Sequence, residues 1–172
     1  MLSEKMQAAL NAQVNMEFNA FYTYLSMSAH FENQGFRGFA AWLRHHATEE
    51  NGHAMKLYDY LNERRGKVTL KALGDPPTEW ADTVSVFEDA LKHEQKVTAS
   101  INRLVDLAYE ERDHATASFL QWFVDEQVEE EAIVDAVLND LRRVGDFGPG
   151  LFMLDNQLGA QTPAEAATGD AT

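Results

Sequence analysis

The sequence predicts an all-α protein: four long helices packed as a bundle, one long crossover connection in the middle, and a short fifth helix at the C-terminal end. Three observations predict it. Four stretches carry apolar residues at alternating spacings of three and four, the period of a helix and not of a strand. The first and third links between them are a few residues long, whereas the middle link, RRGKVTLKALGDPPTEWADT, is long and carries glycines and two prolines. Polar residues interrupt every apolar seam near its middle, in a register that repeats.

Ser3 is placed to cap the first helix, which runs to about Asn33, where NQG supplies a glycine stop. The second helix runs from about Phe36 to Arg64. In the link that follows, KVTL at 67–70 is the one plausible extended stretch. Asp82 or Ser85 caps the third helix, with Ser85 and Glu88 fitting a capping box, and that helix runs to about Glu111. Asp113 caps the fourth, which runs to about Val144. GDFGPG at 145–150 breaks the chain, and LFMLDNQL at 151–158 reads as the short fifth helix. Helices of roughly 28–32 residues are about 42–48 Å long. A middle link that spans such a length gives a one-crossover bundle and not an up-down-up-down one. Residues 1–160 are expected to form one domain, and 161–172 a flexible tail.

Bulk properties narrow the function. The chain has 172 residues and a formal charge of −14. That charge argues against nucleic acid as a partner and is compatible with cations. Without cysteine there are no disulfides, thiolate zinc sites or iron–sulfur clusters. The N-terminus lacks the pattern of a signal peptide, and the longest apolar stretch is far too short to span a membrane, so a cytoplasmic protein is expected.

The seams can be written residue by residue. Helix one gives Leu10, Val14, Glu17, Phe21, Tyr24, Ser28 and Phe31; helix two gives Leu43, His46, Glu50, His53, Leu57 and Tyr60. Helix three gives Phe87, Leu91, Glu94, Thr98, Ile101 and Val105; helix four gives Leu120, Phe123, Gln127, Glu130, Val134, Val137 and Leu141. A shift of 77 positions carries Glu17 onto Glu94, Glu50 onto Gln127, His53 onto Glu130 and Glu49 onto Glu126. Both halves therefore read Glu on one helix, then Glu/Gln-x-x-His/Glu on the next. Solvated acids have no reason to keep such a register, and a duplicated helix pair about a pseudo-twofold axis does.

The residue types point to metal. Positions i and i+3 share a helix face, so Glu50 with His53 reach one point, as do Gln127 with Glu130. Four core-facing carboxylates, an imidazole and an amide converge. Such a cluster repels itself and takes up protons unless cations neutralise it. Oxygen-rich ligation with at most one imidazole per metal suits Fe, Mn or Mg better than tetrahedral zinc. A buried polar layer that only fixes register is the plainer alternative. A zinc-peptidase motif fails, because Glu49 stands where a second histidine would be required, four residues before His53.

With NMEF on helix one, HATEENGH on helix two, KHEQ on helix three and FLQWFVDEQVEEE on helix four, the chain resembles a bacterial non-haem ferritin over roughly residues 1–160. The resemblance implies a ferritin-like fold and an iron-storage protein of iron homeostasis with ferroxidase activity. Such a protein oxidises Fe(II) with O2 or H2O2 and keeps the ferric product inside a homo-oligomeric shell of about twenty-four chains. It implies that Glu17, Glu50 and His53 hold the first iron, that Glu50 bridges, and that Glu94 holds the second. Gln127 would touch the second iron directly or through a ligand. Glu130 would reach the pair or a neighbouring third iron, with Glu49, Glu126 and Glu129 completing that third site. Tyr24 would lie near the irons as a one-electron donor or as a buried, hydrogen-bonded tyrosine.

Haem is not expected. The haem-binding relatives repeat Glu-x-x-His in the second half and place a methionine directly after the bridging glutamate; here Gln127 and Glu130 stand in the second half and Asn51 follows Glu50. Met55 reads as core or interface packing, as do Trp42 and Trp122. His46 reads equally as packing or as support for a ligand, and His30, His45, His93 and His114 as surface or packing residues. Gly52, costly inside a helix, would leave room for third-site carboxylates, allow close helix packing, or be a tolerated weak point. Two rival functions remain: a di-iron peroxidase or oxygenase of the same superfamily, and a non-catalytic helical assembly protein. The DNA-binding mini-ferritins are disfavoured by the spacing of the site and by the fifth helix.

Overall fold

The computed structural model describes residues 2–161, and among them there are five helices and no strand. The helices are α1 (Glu4–Gln34), α2 (Arg37–Glu63), α3 (Thr83–Glu110), α4 (His114–Val144) and α5 (Gly148–Gln161). Each boundary has a local cause. The Ser3 hydroxyl accepts from the Met6 amide, and Gly35 closes α1 at φ 82°, the left-handed conformation that glycine adopts without strain. Asp113 accepts from the Thr116 amide at the start of α4. At α3 the capping box differs from the expected one: Asp82 and Ser85 exchange side-chain and backbone bonds. Glu88 instead takes Arg142 of α4 at 2.9 Å.

Helices α1 and α2 pack as one pair and α3 and α4 as the other; α1 also packs on α3, and α5 on α2 and α4. The crossover runs along α1. Asn11 bonds Lys67 O and the Thr69 amide, Asn19 accepts from the Gly74 amide, and Ser26 donates to Pro77 O. KVTL is therefore a strap held by the Asn11 and Gln7 side chains, and not a strand.

Helix α5 is longer than expected and starts inside the glycine-rich break, with Pro149 in its first turn, where its missing N–H costs nothing. Its Asp155 accepts from the Phe39 amide at 2.8 Å, and so caps α2, whose own N-cap residue Phe36 has no side-chain cap. Gln161, the first residue of the expected tail, ends α5; the rest of that tail, 162–172, lies outside the described residues.

The core comes in two apolar clusters. Phe31, Phe39, Leu43, Phe87 and Leu141 belong to one end of the bundle. Leu10, Leu57, Ile101, Leu120 and Phe123 belong to the other. Between them lies a buried polar layer: Glu17, Glu50, His53, Glu94, Gln127 and Glu130. The expected seams of α2 and α4 are buried throughout, and that of α1 is buried except for half-buried Phe21. On α3 the seam needs correction. Leu91, Thr98 and Val105 are half-buried, and the buried line runs through Ala90, Val97 and Leu104. The expected line steps four then three from Phe87 and the buried line steps three then four, so the two share Phe87, Glu94 and Ile101 and part between them.

Candidate metal centre

Each half of the chain contributes one helix pair, and the polar layer lies where their middles meet. Glu17 comes from α1, Glu50 and His53 from adjacent turns of α2, Glu94 from α3, and Gln127 and Glu130 from adjacent turns of α4. The 77-residue register thus ends as a spatial ring.

Three groups of side chains have ligand atoms within 4.8 Å of one another. The first is Glu17, Glu50 and His53, all buried. The second is His46, Glu49 and Glu130. The third is His53, Glu126 and Glu130. His53 Nδ1 lies 3.4 Å from Glu50 Oε2 and its Nε2 lies 3.8 Å from Glu126 Oε1, so the ring faces two groups at once. Glu130 likewise belongs to two groups. Glu94 stands in none of them: its carboxylate is held by the Tyr24 hydroxyl and, at 3.3 Å, by Gln127 Nε2. Glu129 is exposed and lines a cavity of about 280 Å³ with His45, His46, Glu49, Glu126 and Glu130.

The orphaned atoms mark where something positive belongs. Glu17 Oε2, Glu50 Oε2, Glu130 Oε2 and His46 Nδ1 are buried without a hydrogen-bond partner. Buried polar atoms are normally satisfied, and four orphans converging in one layer is the pattern a cation would resolve. Without a cation the acids take up protons. Burial, with Glu50's charge beside it, pushes the Glu17 carboxyl up to about 8. Burial pushes Glu94 up to about 7, against the Tyr24 hydrogen bond that favours its charged form. Glu50 is held well above the usual carboxylate range by burial and by Glu94 and Glu130, and Glu126 is raised by burial and by its acidic neighbours. Burial and the nearby acids also hold the Tyr24 phenol protonated.

His46 is the group that sequence reasoning underrated. Its Nδ1 lies 3.2 Å from Glu49 and 3.3 Å from Glu130, and its ring stacks on Tyr24 and against Trp42. Its spacing, four before Glu50 on the seam, was the available signal. Trp122 departs from the packing role expected of it. It is 38 % exposed, lies edge-on to His53, and carries the Lys56 ammonium 3.9 Å from its ring centre. Trp42 does pack in the core. Gly52 is exposed with open space around its Cβ position, so neither third-site crowding nor close packing within the chain requires it.

The family described as "Ferritin-like domain" matches residues 7–144. A bacterial non-heme ferritin of Bacteroides fragilis is 43% identical over 159 residues, which are 92% of this chain and 99% of the relative. A bacterial non-heme ferritin of Staphylococcus aureus is 38% identical over 162 residues, 94% of this chain and 98% of the relative. Among solved structures, the open pore ferritin of the archaeon Archaeoglobus fulgidus superposes with a TM-score of 0.91 at 45% identity, over 92% of this chain and 98% of that one.

Proposed function

Because this chain belongs to the ferritin family, we propose that it is an iron-storage protein whose buried polar layer is a ferroxidase centre, oxidising Fe(II) with O2 or H2O2. One observation carries the assignment of the site: buried carboxylate oxygens of Glu17, Glu50 and Glu130 lie without a hydrogen bond between two apolar clusters, with imidazole nitrogens of His53 and His46 3.4 Å and 3.3 Å from the last two. Glu17, Glu94 and the Glu50-x-x-His53 pair match the established placement for ferritin-like di-metal bundles, and Gln127-x-x-Glu130 departs from it on the fourth helix.

In this reading Fe(II) is the substrate. Glu17, Glu50 and His53 hold the first ion, and Glu50 reaches toward the second, held by Glu94 with Gln127 and Glu130 beside it. His46, Glu49, Glu126, Glu129 and Glu130 form a third cation position at the mouth of the cavity between α2 and α4. The carboxylates give up protons as Fe(II) enters, since the same oxygens serve both. The apolar clusters on either side keep water from competing for the ions. Tyr24 fixes Glu94 through its hydroxyl and stands close enough to serve as a one-electron donor. The protein supplies position and charge, and the oxidation is the iron's own chemistry. The ferric product collects inside a shell of about twenty-four copies of this chain. We place the protein in the cytoplasm; among the described residues no helix is long and apolar enough to cross a membrane. No haem is invoked, since the second half carries Gln127 and Glu130 where haem-binding relatives repeat Glu-x-x-His.

Stopped-flow mixing of metal-free protein with increasing Fe(II) in air tests this. A fast ferric phase saturating at about two to three irons per chain, then slower growth of a soluble ferric product, is expected. Glu50→Ala should slow the fast phase by at least about 100-fold while the helical circular dichroism stays unchanged. Fast oxidation retained in that variant would place the chemistry elsewhere.

A further inference from the structure

The repeat that relates the ligands does not relate the groups that hold them. Glu17 is fully buried, and its Oε1 accepts a hydrogen bond from Gln13 Nε2 at 2.8 Å. Its other oxygen, Oε2, has no donor and is the one left for a cation. Gln13 lies four residues before Glu17 on α1, beside it on the helix, and is 1 % exposed. Its own carbonyl accepts from the Ser100 hydroxyl of α3 at 2.6 Å. The ionised Glu17 carboxylate, which can only accept, settles which way the amide points, since a serine hydroxyl can either donate or accept. The carbonyl takes the hydroxyl proton and the NH2 faces the carboxylate, whereas the reverse orientation would set two acceptors against each other. Seventy-seven positions on, Gln13 becomes Ala90, so Glu94 has no such amide. Glu94 is held instead by Tyr24, which is again on α1.

We propose that Gln13, clamped by Ser100, is a positioning residue for the first metal position, pinning one oxygen of Glu17 so that the other alone faces the cation. The inference rests on the ferroxidase reading. An unpinned carboxylate can turn to offer either oxygen or both. A pinned one offers a fixed, single-oxygen ligand whose charged form is stabilised by the amide. The two metal positions are thereby made unequal. A neutral amide one turn away on α1 restrains the ligand of the first, and a phenol and the Gln127 amide restrain the ligand of the second.

The assembled, metal-free protein is titrated with Co(II), whose visible absorption reports coordination as well as occupancy. Glu17→Ala and Glu94→Ala first identify which absorption belongs to which position. Gln13→Leu and Ser100→Ala should each weaken the Glu17-dependent binding about 10–100-fold and alter its band shape, leaving the Glu94-dependent binding within about twofold. Ser100→Thr, which keeps the hydroxyl, should restore both affinity and spectrum. If Gln13→Leu fails to fold, the Ser100 pair decides alone. Wild-type affinity and spectrum in Ser100→Ala and Gln13→Leu would overturn the positioning role while leaving the ferroxidase reading intact. Equal weakening at both positions would also overturn it, as general loosening. Wild-type protein with neither saturable Co(II) binding nor fast Fe(II) oxidation would overturn both.

Discussion

Glu17 and Glu94 show how a buried acid is tied to what fills the site. Their carboxyls are pushed from the ordinary value of 4.5 up to about 8 and about 7, burial being the largest cause in each. A group whose folded value lies above its unfolded value stabilises the fold at low pH, where it is protonated in both states. That contribution is lost as pH rises through the folded value. Metal-free protein should therefore melt lower at pH 8 than at pH 5, with the fall running from the ordinary value of 4.5, where the unfolded carboxyls ionise, to about 7 for Glu94 and about 8 for Glu17, where the folded ones do. A fall of a few degrees or more is expected, at about 2–4 °C per kcal/mol for a domain of this size. Saturating Co(II) should remove most of the fall, because bound metal neutralises the same oxygens and its affinity rises as protons leave. Melting curves across pH, with and without Co(II), check it. A flat metal-free profile would mean that these carboxylates are ionised without help.

At the scale of elements, α5 is the piece whose attachment rests on a few named atoms. Asp155 caps α2 through the Phe39 amide, and a Cβ at Gly38 would lie 1.7 Å from the Asp155 carbonyl oxygen. Asp155→Ala should cost about 1–2 kcal/mol, the loss of a cap with a charged acceptor. It should speed hydrogen exchange in α5 while fast iron oxidation survives, since Phe39 lies about 16 Å along α2 from Glu50. Gly38→Ala should free α5 in the same assay by direct collision with its backbone; unchanged exchange in both variants would mean that α5 is held by its apolar face alone. This attachment was not legible in the sequence, because an aspartate in a short helix gives no sign that it caps a residue 116 positions away. The long helices were legible, because Ser3, Gly35 and Asp113 announce their ends and the three-and-four spacing continues through each polar interruption. The α3 phase was not, because Phe87, Glu94 and Ile101 fit steps of four then three as well as the three then four that the buried line follows. At the site, the 77-residue register disclosed the buried polar ring that is proposed to hold the metal. It could not disclose His46 or Gln13, whose counterparts Phe123 and Ala90 carry no ligand chemistry. Groups that hold ligands are specific to one half, and a repeat shows only what the halves share.

At the scale of the whole molecule, chemistry and storage ask for different things. The proposed first and second positions draw Glu17, Glu50, His53, Glu94, Gln127 and Glu130 from a single chain, so oxidation should not need a partner. Keeping a mineral soluble needs an enclosing shell. The chain leaves large apolar side chains where α1 meets the crossover strap: Tyr22 and Leu25 on the helix, 44 % and 36 % exposed, and Leu70 and Leu73 on the strap, 61 % and 39 %. The strap is tied to α1 at Asn11, Asn19 and Ser26, so these residues share one flank. Such a flank is expected to be buried between copies of the chain. Leu25→Glu combined with Leu70→Glu would set like charges against each other across a self-complementary contact, on a chain already at −14. Light scattering should then show smaller species in place of the shell. The fast ferric phase should keep its amplitude per chain, because every residue of the centre is still present and folded. The slow phase should change character: ferric product should precipitate where the wild type holds it in solution. An intact shell in the double variant would assign assembly to another face. Loss of the fast phase together with the shell would mean that the centre is completed only by its neighbours.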